Sequence, residues 1–236
     1  MLPAVRPVVL CGAVSPLGDK GALSAIGKHQ VLPPWEISLT GVAGDAQADL
    51  KNHGGPEKAL HHYPIEHYAY WTQKLGPAPN LSKCGAFGEN ISTTGWTEAN
   101  THIGDIVRFG GAVLQVSQGR QPCWKLNLRF GRPDMARLVQ RSGLTGWYYR
   151  VLTPGRADAT DRFVLVERLR PQWPVARVLR LLYSDTLAFA ELGEMAELPE
   201  LAEGWRRIAA RRLEQRRVED WLPRLERVEK LDPAER

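Results

Sequence analysis

Residues 106–125 read IVRFGGAVLQVSQGRQPCWK. Ile106–Phe109 and residues 112–117 are two apolar, β-favouring runs separated by Gly110-Gly111. A two-residue glycine loop between such runs predicts an antiparallel hairpin. In that register Val107 faces Leu114 and Phe109 faces Ala112, which gives one apolar face. The second strand runs out into Gly119-Arg120-Gln121-Pro122-Cys123-Trp124-Lys125, so the Cys123 thiol is expected just past a strand end. Arg120 stands three residues before it and Lys125 two residues after. Nearby positive charge favours the thiolate, the metal-ligating and nucleophilic form of cysteine. The competing reading is a small, inert, buried hydrophobe.

Outward from this hairpin the chain continues as strand and turn. Residues 8–14 suggest a first strand, ended by Ser15-Pro16-Leu17-Gly18, and residues 36–39 a short extended segment. Residues 44–71, GDAQADLKNHGGPEKALHHYPIEHYAYW, are the densest polar stretch. Pro64 suits the first turn of a helix and not its interior. Residues 58–63 are therefore read as extended and 64–75 as a helix with Ile65, Tyr68, Ala69 and Leu75 on its apolar face, closed by Gly76-Pro77. Residues 147–152 and 162–168 supply further strands. After Pro171 the period becomes helical. Val175, Val178, Leu179 and Leu182 mark one helix, residues 187–198 a second, and Pro199 opens a third with Leu201, Trp205, Ile208 and Leu213 inward. Arg206, Arg207, Arg211, Arg212, Arg216 and Arg217 fall on its other faces, as a solvated surface or a docking surface. The expected organisation is a domain over 1–170 and a helical appendage over 171–236.

A chain of 236 residues can bury a substantial core. Its hydrophobic share of 43%, charged share of 24% and net charge of +5 are ordinary for a globular protein, permit an anionic ligand and do not by themselves indicate nucleic acid. Three cysteines, Cys11, Cys84 and Cys123, argue against a disulfide framework and for a reducing compartment. No signal peptide and no membrane-spanning run is read, so a cytoplasmic location is expected.

Several other residues invite chemistry. His53, His61, His62 and His67 lie close together with Glu66 among them, but Pro64 interrupts any shared helix and His61 and His62 point to opposite faces of an extended segment. Ordinary hydrogen-bonding histidines are favoured over zinc. His53-Gly54-Gly55-Pro56 is a tight turn whose amides could approach an anion, flanked by Lys51 and Lys58. In Gly88-Glu89-Asn90-Ile91 the Asn90 amide could read a heterocycle edge. Arg150 could grip a phosphate or stack on its aromatic neighbours. Walker, GxGxxG and GxSxG motifs do not occur.

Residues 44–71, the segment GAFGENISTTGWTEANTHIGDIVRFGGAVLQVSQGRQPCWKL and the run SGLTGWYYRVLTPG together resemble the MOSC domain, and within it the YiiM-like subfamily. The likeness covers about residues 10–168, and the helical tail resembles that subfamily's three-helix appendage. It implies a mixed β/α fold with a β-barrel-like core. It also implies binding of the molybdenum cofactor (molybdopterin), with Cys123 as the molybdenum ligand. Lys51, Asn90, Arg120, Lys125 and Arg150 are then candidates to hold the cofactor. His53 and Glu89 are candidates for proton handling, with His62 behind them. The implied activity is reduction of small N-hydroxylated compounds such as hydroxylaminopurines, a detoxification. Electrons would come from a separate flavin or iron–sulfur reductase. The alternative is a cofactor carrier or a persulfide-handling domain without turnover. No membrane and no stable nucleic acid are expected as partners, and a homodimer is allowed.

Overall fold

The computed structural model describes residues 2–19, 21–49 and 54–226. The predicted hairpin is present with the predicted register, Phe109 opposite Ala112 and Val107 opposite Leu114. In chain order the strands are β1 (Val8–Cys11), β2 (Ser15–Leu17), β3 (Ala22–Ser24), β4 (His29–Gln30), β5 (Trp35–Ser38), β6 (Gly41–Val42), β7 (Leu60–His62), β8 (Ile91–Ser92), β9 (Ile106–Phe109), β10 (Ala112–Gly119), β11 (Trp147–Thr153), β12 (Gly155–Ala157) and β13 (Phe163–Glu167). Eight of them form one sheet in the order β13-β9-β10-β11-β7-β8-β1-β4, which curls into a half-barrel. Among the described residues, only β7 and β8 pair in parallel there.

The helices are α1 (Glu66–Leu75), α2 (Lys125–Phe130), α3 (Met135–Ser142), α4 (Val175–Tyr183), α5 (Phe189–Ala196), α6 (Glu203–Gln215) and α7 (Leu222–Leu225). The sequence reading had α1 and the three tail helices. It took the middle of the chain as strand and turn, and so missed α2 and α3. Both are short, and each ends on a left-handed glycine, Gly131 and Gly143, which supplies the conformation a helix stop needs. The tail also carries a fourth short helix, α7.

The apolar face of the half-barrel and the inner face of α4–α6 form one continuous core. Val107, Phe109, Leu114, Trp147, Tyr149 and Phe163 pack in the same cluster as Val178, Leu179, Leu182 and Trp205. Gly119, at the end of β10, makes this approach possible, because a Cβ there would lie 2.9 Å from both Leu179 and Trp205. A second cluster under α1 joins Tyr63, Trp71 and Phe87 to Leu126, Met135, Val139 and Leu225. The end of β10 emerges between these clusters. Among the described residues, no helix is long and apolar enough to cross a membrane.

Candidate active site

The β10–β11 pairing slips between Val116 and Gln118. Ser117, at the slip, sends its hydroxyl to the carbonyls of Glu57 (2.7 Å) and Tyr148 (3.1 Å). A bulge of this kind re-aims the residues that follow it. They pass Gly119, and the Arg120 amide then donates to the Gly146 carbonyl at 3.1 Å. Pro122-Cys123-Trp124 makes the turn into α2.

Cys123, 7% exposed, borders two clefts. The first is lined by Lys28, Asp49, Lys58, His61, Phe87, Asn90, Arg120, Cys123, Lys125 and Tyr148, among others. The second shares Cys123, Asp49, Lys58, Lys125 and Tyr148 and adds Gln118, Gln121, Trp124, Pro223 and Arg224. Four cationic side chains thus meet beside one soft sulfur. Lys28 pairs with Asp45 (2.5 Å to Oδ2), and Lys125 donates to the Leu23 carbonyl at 3.0 Å. Burial lowers the Lys58 pKa, against the pull of Asp49. Arg120 is buried, and its Nη1 has no hydrogen-bond partner among the described residues. A buried guanidinium nitrogen left without an acceptor is costly, and an anionic oxygen in the cleft would satisfy it.

His61 and Tyr148 complete the lining. His61 Nε2 lies 3.2 Å from the Thr145 carbonyl, which can only accept, so Nε2 carries the hydrogen. Burial, and then the Arg120 charge, pull its pKa down to about 3, so the ring is neutral at ordinary pH. Burial pushes the Tyr148 phenol up, partly offset by Arg120. It therefore remains a hydrogen-bond donor at the border of both clefts. Cys11 and Cys84 are different from Cys123 in place. Cys11 lies in the main core with its thiol pushed up to about 11 by burial, and burial also raises Cys84.

The structure brings Cys123, Arg120, Lys125 and Asn90 to one cleft. Lys51 and His53 lie outside the described residues. Three of the expected site residues do not line either cleft. Glu89 is fully buried and accepts from the Tyr68 hydroxyl and from the amides of Gly85 (2.7 Å) and Phe87 (3.1 Å). It clamps the 85–89 turn and does not line the cleft. Arg150 shares a strand face with Tyr148 but lies two residues farther from the Cys123 end, about 7 Å along the strand. It is engaged by Glu57 (Nε to Oε1, 3.0 Å) and Gln115 (2.6 Å). His62 is buried in the core between Tyr149 (3.0 Å) and Thr93 (2.9 Å). Asn90 lines the cleft, but its amide hydrogens already go to Asp45 (2.8 Å) and the Leu10 carbonyl (3.2 Å), which argues against heterocycle reading. Among the described residues, no group of three or more His, Cys, Asp or Glu side chains could hold a metal ion. His67 instead pairs with Glu98 at 2.7 Å.

Sequence reasoning did not pick out Lys28, His61, Tyr148 or Arg224 as cleft residues. Lys28 and Arg224 carry no local motif. Tyr148 sat in the quoted WYYR strand, where alternation placed it with Arg150, and His61 was legible only as the face opposite His62.

Two family models match the chain, the MOSC domain over residues 49–164 and the YiiM-like 3-alpha helix domain over 173–216. Protein YiiM of Escherichia coli (strain K12) is 39% identical over 209 residues, which cover 87% of this chain and 92% of that protein. The chain belongs to the YiiM-like MOSC family. The MOSC domain is in general a molybdenum-cofactor-binding family. The crystal structure of YiiM from Escherichia coli superposes with a TM-score of 0.81 at 32% identity, over 95% of this chain and 99% of that one. A protein of Gibberella moniliformis named "Reductase" is 40% identical over 203 residues, 84% of this chain but 36% of that longer protein. This YiiM-like chain therefore matches about a third of the fungal relative.

Proposed function

We propose that this protein is a molybdenum-cofactor-dependent oxidoreductase that reduces N-hydroxylated compounds, with Cys123 as the protein's ligand to the metal. The observation that carries this reading is the placement of Cys123 at the border of two clefts, with Lys28, Lys58, Arg120 and Lys125 around it. The residues present fit such a group. A single thiolate suits a metal whose other ligands come from an organic cofactor, and Arg120 Nη1, without a partner among the described residues, suits that cofactor's anionic phosphate. When bound, the cofactor supplies the two-electron redox chemistry.

The remaining work belongs to the chain. Arg120, Lys58 and Lys125 hold and orient negative charge. Neutral His61 fixes the Thr145 backbone beside the cleft. The Tyr148 hydroxyl, kept protonated by burial, lines both clefts and would serve as the proton donor to a leaving oxygen. The net reaction takes an N-hydroxy group, two electrons and two protons to an N–H group and water. A separate flavin or iron–sulfur reductase supplies the electrons. The relative named as a reductase supports an oxidoreductase class.

The test is the metal content of gently purified protein from a host that makes the cofactor, together with turnover on an N-hydroxylated base analogue. The wild type and Cys84→Ser are expected to hold molybdenum and turn over. Cys123→Ser is expected to lose turnover, and Arg120→Ala to retain at least about tenfold less cofactor, as the loss of a charge-assisted contact of roughly 1.5–3 kcal/mol requires. Full turnover in Cys123→Ser overturns the assignment. Bound molybdenum without turnover in the wild type points to a carrier.

A further inference from the structure

The turn that carries Cys123 is held from the far end of the chain. Arg224 donates from Nη1 to the carbonyl of Pro122, and its own carbonyl accepts the amide of Trp124 at 2.8 Å. These are the two residues that flank Cys123. One residue, about a hundred positions away, therefore ties down the backbone immediately before and immediately after the thiol. Its second nitrogen, Nη2, donates to Gln140 Oε1 at 2.6 Å, which anchors the guanidinium on α3.

The segment around Arg224 is itself pinned at several points. Glu219 accepts from Arg212 at 2.7 and 2.9 Å, and Arg212 is buried inside the helical unit, where it also donates to the Leu181 and Leu182 carbonyls. Trp221 meets Tyr183 edge-on, with ring centroids 5.7 Å apart. Leu225 is buried in the second core cluster, and its carbonyl accepts from Asn127 at 2.9 Å. Pro223 and Arg224 line the second cleft together with Cys123. Glu219, Trp221, Pro223, Arg224 and Leu225 all lie beyond residue 216, where the match to the three-helix family model ends.

We propose that residues 219–226 form a strap that is part of the site. Arg224 acts as a positioning residue that fixes the direction of the Cys123 thiol, and Pro223 and Arg224 form a wall of the second cleft. The inference rests on Cys123 being the reactive thiol. Metal–ligand distances in a well-built site fall within about 0.2 Å of their usual values. Fixing both peptide groups that flank a cysteine narrows the directions its thiol can take, and the strap provides a bond to each. It also couples the site to the helical unit, because the Arg212–Glu219 pair is the strap's root.

The test uses the full-length protein without cofactor, so its result does not depend on the proposed activity. Iodoacetamide labelling of Cys123 is followed by peptide mass spectrometry up to the alkaline plateau, where the rate reports accessibility and not ionisation. Cys84 serves as an internal reference. Arg224→Gln is expected to raise the plateau rate at Cys123 at least fivefold while Cys84 is unchanged. Arg224→Lys should recover part of the protection, because one N–H can still reach the Pro122 carbonyl. Gln140→Ala, which frees Nη2 and leaves Arg224 in place, should give a smaller increase. It decides the matter should Arg224→Gln not fold. An unchanged Cys123 rate in these variants, or a parallel rise at Cys84, overturns the proposal. Local exposure of Cys123 in a protein that never holds molybdenum would remove the proposed function and leave the strap standing.

Discussion

Glu89 engages both carboxylate oxygens inside the protein, with the Tyr68 hydroxyl and two backbone amides as donors. Such a carboxylate, saturated by donors and fully buried, is a fastener for the turn that leads into β8. Replacing it with glutamine sets an NH2 group against at least one amide donor. Glu89→Gln is therefore expected to cost about 1–3 kcal/mol and lower the thermal midpoint, while the shape of the turnover–pH profile stays that of the wild type. An altered pH profile at unchanged stability would return Glu89 to the chemistry. Arg212 presents the same contrast between residue type and place. It was read as part of an arginine face, solvated or docking, yet it follows Trp205 and Ala209 at helical spacing and is buried with them. The carbonyls of Leu181, Leu182 and Thr186 and the carboxylate of Glu219 make an arginine tolerable there.

At the scale of elements, the strap connects a stability effect to pH. Burial alone would raise the Glu219 carboxyl, but the bonds from Arg212 and Trp221 outweigh it and hold the pKa at about 2, against an ordinary 4.5. A carboxyl depressed by folding stabilises the folded state above its ordinary pKa, and that contribution is lost as pH falls from about 4.5 through about 2. The thermal midpoint of the wild type should therefore exceed that of Glu219→Gln at pH 6, and the gap should narrow steadily toward pH 2.5. A gap that does not vary with pH would mean that the charge of Glu219 contributes nothing to the strap. The hairpin of β9 and β10, by contrast, was legible down to its register, because the glycine turn and the apolar alternation constrain it locally. The helices α2 and α3 were not. At six and eight residues they show little more than a turn or two of period, and their glycine stops were the only local signal.

For the whole molecule, the shared core makes the helical unit and the half-barrel depend on each other. Gly119 is a point of close approach between them, directly before Arg120 and the Cys123 turn. Gly119→Val places methyl groups where Leu179 and Trp205 already sit. Overpacking of this kind is expected to cost about 1–3 kcal/mol, read as a lower denaturant midpoint, and to expose α4–α6 to hydrogen exchange more than β11. Unchanged exchange in α4–α6 would mean that their seat does not depend on that contact.

The sequence by itself determined the strand-and-turn core, the hairpin register, the helical tail, and the cysteine at a strand end between two cations. These follow from short-range rules, namely alternation, helical period, turn residues and near-neighbour charge. Only the tertiary structure decided which polar residues meet at Cys123. Lys28, His61, Tyr148 and Arg224 reach the clefts from β-strand, loop and terminal segments with no common spacing, while Glu89 and Arg150, which lie within the quoted motifs, are held by other partners. The physical reason is that a buried polar group must find a partner wherever the fold supplies one. Which of these groups remain turned toward a ligand is settled by contacts across tens to a hundred residues, beyond the reach of any local pattern.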